Sequence, residues 1–176
     1  LETLKHTLGF APDCEITTEA NPDTFTVEYA QELAQAGFTR VSIGMQSAVE
    51  HVLHTLDRTH KPENVSRAVV AARNAGLDVS VDVIYGTPTE SLDDWKHTVD
   101  AVLELDVSHI SAYALIVEQG TALERKIRSG HLPAPDDDLH ADMYEYADNA
   151  FTEAGYSWYE LCLLYTSPSP RDRQKS

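Results

Sequence analysis

The sequence has almost no cysteine, no long apolar run and little positive charge, and each shortage removes a class of function. Its two cysteines, Cys14 and Cys162, lie far apart with no CxxC-like spacing. They give no metal-site signature and fit a reducing compartment. No apolar stretch approaches the roughly 18 residues that span a bilayer. The opening residues, Leu1-Glu2-Thr3-Leu4-Lys5-His6, lack the basic region and apolar stretch of a signal peptide. The expected location is therefore cytoplasmic. The chain also opens without Met, so its start reads as other than the natural one. Thirteen Lys and Arg face 29 Asp and Glu, a formal charge of −16. That balance disfavours a nucleic-acid partner, because phosphate binding needs a basic footprint. It reads most simply as a solvated acidic surface. There is no G-x-G-x-x-G, no Walker loop and no G-x-S-x-G.

What is present is an alternation of helix and strand patterns. At 176 residues and 42% hydrophobic, the chain has room for about one domain with a real core. Val27, Ala30, Leu33 and Ala34 recur at helical spacing, and Gly37 follows as a stop. Pro62 suits a first helical turn, and Val65, Ala68, Val69 and Ala72 form a stripe that ends at Gly76. Ser91 reads as an N-cap before Trp95, Val99, Val102 and Leu103. A last long helix starts in Asp136-Asp137-Asp138 and stops at Gly155. Ala36-Gly37-Phe38, Ala75-Gly76-Leu77 and Ala154-Gly155-Tyr156 each close a helix before a strand-like stretch, a weak internal repeat. Strands are expected at Glu15–Glu19, Val41–Gln46, Val79–Val83 and Ile110–Ile116. Strand, helix, strand at such separations means parallel strands with right-handed crossovers. Four βα units make an α/β fold, a piece of a barrel or of an open parallel sheet; a complete eight-unit barrel takes about 250 residues.

Three of these strands carry a polar residue at or next to their carboxyl end. Side chains alternate across a strand, so Glu19, Gln46 and Asp82 are expected on one face, at the carboxyl ends of successive strands. In α/β folds that edge is where ligands bind. Two carboxylates and an amide suit hydroxyl and ammonium groups. Arg58, twelve residues after Gln46, suits a carboxylate or phosphate. A ligand with an amino group, a carboxylate and a ribose would use all four. Each has a plainer reading: Glu19 as a strand exit, Gln46-Ser47 as a helix cap, Arg58 as a surface ion pair. Asp82 is harder to dismiss, because a buried carboxylate without a partner is costly. Zinc is disfavoured, and His51 and His54, one helical turn apart, read as solvent-facing. Tyr85-Gly86-Thr87-Pro88 is a loop whose Gly86 would let the backbone approach a ligand.

Four ordered motifs carry a resemblance. They are Glu15-Ile16-Thr17-Thr18-Glu19-Ala20-Asn21-Pro22, Arg40-Val41-Ser42-Ile43-Gly44-Met45-Gln46-Ser47, Asp82-Val83-Ile84-Tyr85-Gly86-Thr87-Pro88 and His109-Ile110-Ser111-Ala112-Tyr113. Together they resemble the oxygen-independent coproporphyrinogen-oxidase-like group of radical S-adenosylmethionine (SAM) proteins, from about residue 1 to Glu160. Glu-Ala-Asn-Pro, the Ser after Gln46 and Asp142-Met143-Tyr144-Glu145 look closer to the heme chaperone branch than to the true coproporphyrinogen dehydrogenase. The resemblance implies a partial (β/α)6 barrel with SAM in its mouth. It implies that Arg58 pairs with the methionine carboxylate, Gln46 and Asp82 hold the ribose hydroxyls, and Glu19 meets the methionyl end or the ribose. Ile116 matches a position whose backbone approaches the adenine. It also implies a 4Fe–4S cluster, heme or a porphyrin as ligand, and heme-acceptor proteins as partners.

The departures from the group are equally specific. Its CxxxCxxC cluster loop and its Gly-rich segment are absent, and Cys14 and Cys162 do not replace them. Residues 1–160 therefore read as a partial radical SAM core, an internal piece of a longer protein that is itself expected to be inactive. Residues 161–176 read as a foreign tail, disordered or the translation of sequencing-adapter DNA, because periodicity gives way to Ser, Pro and basic residues. Two functions stay open: a heme chaperone, or oxidative decarboxylation of coproporphyrinogen III. A binding module unrelated to either is the third reading.

Overall fold

A computed structural model describes residues 1–159 and the backbone of 160 and 163–165. Strands β1 (Thr17–Ala20), β2 (Arg40–Gln46), β3 (Asp78–Tyr85) and β4 (His109–Ala114) run parallel, in chain order. Helices α2 (Val27–Gln35), α4 (Pro62–Asn74) and α5 (Leu92–Glu104) make the crossovers. The short helices α1 (Glu2–Leu8), α3 (Glu50–Thr55) and α6 (Ala122–Arg128) stand outside that alternation. Helix α7 (Asp137–Glu153) leads into β5 (Ser157–Glu160). Within the stretch read as a tail, Leu163–Tyr165 form β6, which runs antiparallel between β4 and β5. An open strand edge presents unpaired N–H and C=O groups, and β6 covers the one on β4.

The strands alternate as the sequence predicts. Val41, Ile43, Val79, Val81, Val83 and Ile110 are buried on one face. Against them pack Ala30 and Leu33 of α2, Val65 and Val69 of α4, Trp95 and Val99 of α5, and Met143 and Phe151 of α7, in one core. Trp95, fully buried, donates its indole N–H to the Met143 carbonyl at 2.8 Å and so ties α5 to α7. Burying a ring of that size contributes most when its one polar atom is satisfied. The helix starts follow the sequence too. Thr26 caps α2, Asp136 caps α7, and Ser91 with Asp94 forms a capping box on α5.

The helix ends share one device. At Gly37, Gly76 and Gly155 the backbone is left-handed, with φ of 93°, 82° and 90°. The next N–H bonds back to the helix each time: Phe38 to Leu33, Leu77 to Ala72 and Tyr156 to Phe151. This is the closure in which a glycine escapes a side-chain clash. The repeat has a fourth member that the sequence hides. Asp106, with φ of 50°, stands where the others have glycine, at the end of α5. Arg73 of α4 donates to the carbonyls of Leu105 and Asp106 there.

Candidate functional site

The other face of the same strands is polar, and it turns toward two adjoining cavities. One, of about 240 Å³, lies at the carboxyl ends of β1–β3 and is lined by Glu19, Asn21, Gly44, Gln46, Arg58, His60 and Asp82. The second, of about 370 Å³, shares Glu19, Gln46 and Asp82 and runs down the sheet past Ser42, Ser80 and Ser111 to Arg40, His109 and Tyr159. The four polar residues singled out in sequence thus line one space. Ile116 does not line it: the residue sits two positions past β4 and is 76% exposed. Two larger cavities, one of about 400 Å³ between α4 and α5 and one of about 590 Å³ between α3 and α6, are lined by neither Asp82 nor Glu19.

Gln46 reaches the site by a route that parity alone does not give. The β2–β3 register slips after Gly44, so that Gln46 pairs with Val83. Gln46 has φ of 62°, and the Ser47 N–H bonds the Met45 carbonyl at 2.8 Å, a three-residue turn around the glutamine. Its amide then lies back over Gly44. A Cβ at Gly44 would sit 2.8 Å from Gln46 Nε2, so a side chain there would have to displace the amide. His60, buried, bonds the Met45 carbonyl through Nε2 at 2.8 Å and holds the turn from behind. No sequence pattern marks His60 or this turn.

Arg58 is placed by the end of α3. Asp57 takes φ of 53°, and the Asp57 and Arg58 N–H groups bond the carbonyls of His54 and Leu53 at 3.2 and 2.9 Å. This is again the left-handed helix closure, with Asp in the glycine position. It turns the chain back, so that the exposed guanidinium of Arg58 borders the cavity.

Asp82 sits at the centre of the polar face. Burial pushes its carboxyl up from the usual range, hydrogen bonds from Ser42 and Ser111 pull it down, and the negative charge of Glu19 pushes it up again. Lower on the same face, Tyr159 and His109 Nε2 lie 2.5 Å apart. Burial, helped by the nearby Arg40 charge, drives His109 down to about 4. At neutral pH that imidazole is uncharged. Arg40 pairs with Glu15 at 2.7 Å.

The residues fit a zwitterionic nucleoside. Acceptors for hydroxyls and an ammonium, one amide and one guanidinium converge on a space with a bare glycine floor. They do not fit an iron–sulfur cluster. Among the described residues no group of three or more His, Cys, Asp and Glu could hold a metal, and Cys14 is a free cysteine.

Comparison with known proteins now decides the family. The model of the Radical SAM superfamily matches residues 1–102. The chain belongs to the radical SAM superfamily. Within this superfamily it is 48% identical over 162 residues to the heme chaperone HemW of Mycobacterium tuberculosis, a match covering 92% of this chain and 42% of that protein. It is 36% identical over 171 residues to HemW of Escherichia coli, covering 96% and 43%. It is 35% identical over 162 residues to the mouse mitochondrial radical S-adenosyl methionine domain-containing protein 1, covering 92% and 37%. The chain thus spans about two fifths of the length of these relatives. The solved structure of the radical SAM coproporphyrinogen III oxidase HemN of Escherichia coli superposes with a TM-score of 0.85 at 23% identity, over 99% of this chain and 40% of that one. The parallel βα architecture is therefore the radical SAM partial barrel. No helix among the described residues is long and apolar enough to cross a membrane.

Proposed function

We propose that this chain holds SAM within a longer cytoplasmic heme chaperone, which binds heme and a 4Fe–4S cluster and delivers heme to acceptor proteins. One observation carries the reading: Glu19, Gln46, Arg58 and Asp82, from four separate segments, line a single cavity at the carboxyl edge of a parallel sheet. Arg58 takes the methionine carboxylate as a charge-assisted pair. Asp82 and Gln46 take the ribose hydroxyls. Glu19 faces the ammonium or the ribose, and the Ile116 backbone approaches the adenine. The chemistry SAM supplies in such proteins is a 5′-deoxyadenosyl radical, and that requires cluster ligands from outside this chain. What these residues do themselves is bind, orient and neutralise the nucleoside's charges.

The relatives named as heme chaperones favour heme delivery over porphyrin decarboxylation. The test has two parts. SAM should bind the chain in equilibrium titration and bind Arg58→Ala far more weakly; equal binding by both overturns the cradle. The longer protein should pass heme to an apo-acceptor without turning over coproporphyrinogen III. Decarboxylation of propionates instead would overturn the chaperone reading in favour of the oxidase.

A further inference from the structure

Asp82 is held by hydroxyls rather than by a cation. Ser42 Oγ lies 2.9 and 2.8 Å from the two carboxylate oxygens, astride the group. Ser80 Oγ lies 2.8 Å from Ser42 Oγ and 3.4 Å from the Val41 carbonyl. Both serines are buried, at 9% and 3% exposure. Ser111 of β4 adds a hydrogen bond from the opposite side. An ionised carboxylate only accepts hydrogen bonds, so the proton of Ser42 points at Asp82. The lone pairs of Ser42 then face Ser80, which donates in turn. The hydroxyls form a one-way chain that ends on the carboxylate.

We propose that Ser42, oriented by Ser80, is a positioning residue that keeps Asp82 ionised and aimed at a vicinal diol. The role rests on the nucleoside reading of the cavity and adds to it a determinant on β2, ahead of the cradle's glycine–glutamine turn. The surroundings explain the need. Glu19 of β1 faces Asp82 with like charge. The cations lining the same space, Arg40 and Arg58, make no ion pair with Asp82; Arg40 is engaged by Glu15. His60 is spent on the Met45 carbonyl, and His109 is neutral with its ring against Tyr159. Tyr113 of β4 completes the groups lining the polar face. Two donated hydrogen bonds are what offsets burial and Glu19. Because Ser42 occupies one side of the carboxylate, both oxygens keep lone pairs toward the cavity for two adjacent hydroxyls.

The test uses the full chain with Ser42→Ala, Ser42→Thr, Ser80→Ala and Asp82→Asn. First, the Asp82 carboxyl carbon is titrated by NMR without ligand. Ser42→Ala should move its midpoint up by about one pH unit, Ser80→Ala by less, and Ser42→Thr should restore it. Second, S-adenosylhomocysteine affinity is followed from pH 5 to 8. Ser42→Ala should bind about tenfold more weakly near the acid end and recover toward pH 8. Asp82→Asn should be weak throughout and independent of pH. An unmoved carboxyl midpoint in Ser42→Ala, or an affinity loss equal at every pH, overturns the proposal. If the unaltered chain binds no nucleoside, the cradle reading fails by itself, and the carboxyl titration still decides the role of Ser42. Should Ser42→Ala fail to fold, Ser80→Ala carries both measurements.

Discussion

The two faces of one sheet are built from the same strands, residue by residue in alternation, yet obey opposite rules. On the helical side Val41, Ile43, Val81 and Ile110 are at 0% exposure and meet a continuous apolar layer. On the polar side Ser42, Ser80, Asp82 and Ser111 carry hydroxyls and a carboxylate into a cavity. The first face is held by close packing, where a lost methylene is felt and a polar atom is costly. On the second, Ser42, Ser80 and Asp82 are paired with one another, while Arg40 Nε is buried without a hydrogen-bond partner. Close packing is therefore concentrated on one face, and the proposed ligand recognition on the other. A substitution should move one property and spare the other.

Five measurements can break or sharpen that division. The largest effect belongs to the helical side: Trp95→Ala removes a fully buried ring and should cost about 3–5 kcal/mol in denaturant unfolding. Ligand affinity of the remaining folded protein should stay unchanged. The converse is Arg58→Ala, which should cost about 2–5 kcal/mol of SAM affinity if the charge pair is desolvated. As an exposed side chain it should change unfolding stability by under about 0.5 kcal/mol. Similar losses in both properties from either variant would end the division of labour.

The two regions should also respond to pH with opposite sign. Glu90, 4% exposed in the loop that leads from β3 into α5, is pushed up to about 7 by burial, against opposing N–H groups of Thr87 and Gly86. A raised carboxyl means that the folded state binds the extra proton. Its stabilising effect is complete below the unfolded value near 4.5 and is lost as pH rises through 7. Unfolding free energy should fall across that window by on the order of 2–3 kcal/mol, and Glu90→Gln should flatten the fall. His109 on the polar face is depressed to about 4, so its effect is complete above about 6.5 and is lost as pH falls toward 4. His109→Gln should remove that acid-side loss, which is of similar size before relaxation is allowed for. The smallest effect is at Gly44. Ala there should push the Gln46 amide aside, weakening SAM binding about tenfold while stability changes by about 1 kcal/mol or less.

Much of the fold is legible in local sequence. The periodicity of Val65, Ala68, Val69 and Ala72, the proline at the start of α4 and the glycine after it define that helix from its own residues. The Ser91–Asp94 capping box is local in the same sense. Parity puts Ser42, Ser80 and Asp82 on one face because the strand period is exact over short runs. The illegible parts depend on residues distant in sequence or on local exceptions. Asp57 and Asp106 fill left-handed positions where glycine is the usual sign. His60 looks like one of eight scattered histidines until its ring meets the Met45 carbonyl. Alternation puts Gln46 on the correct side, but its amide arrives there through a slipped register and a tight turn. Helices α1 and α6 are short, and helix that brief has weak periodicity to read.

The sequence by itself determined the longer helices, the four parallel strands and the faces they bury, because caps, stop residues and alternation are properties of neighbouring residues; the superfamily was legible only as a resemblance of four motifs. It also named the four polar side chains. Only the tertiary structure decided that Glu19, Gln46, Arg58 and Asp82 share one cavity, that Ser42 stands astride Asp82, and that Gly44 leaves room for the amide of Gln46. The physical reason is range. Hydrogen bonds between β2 and β3 join residues about 40 positions apart, and their geometry is fixed by strand register and helix packing rather than by the local sequence.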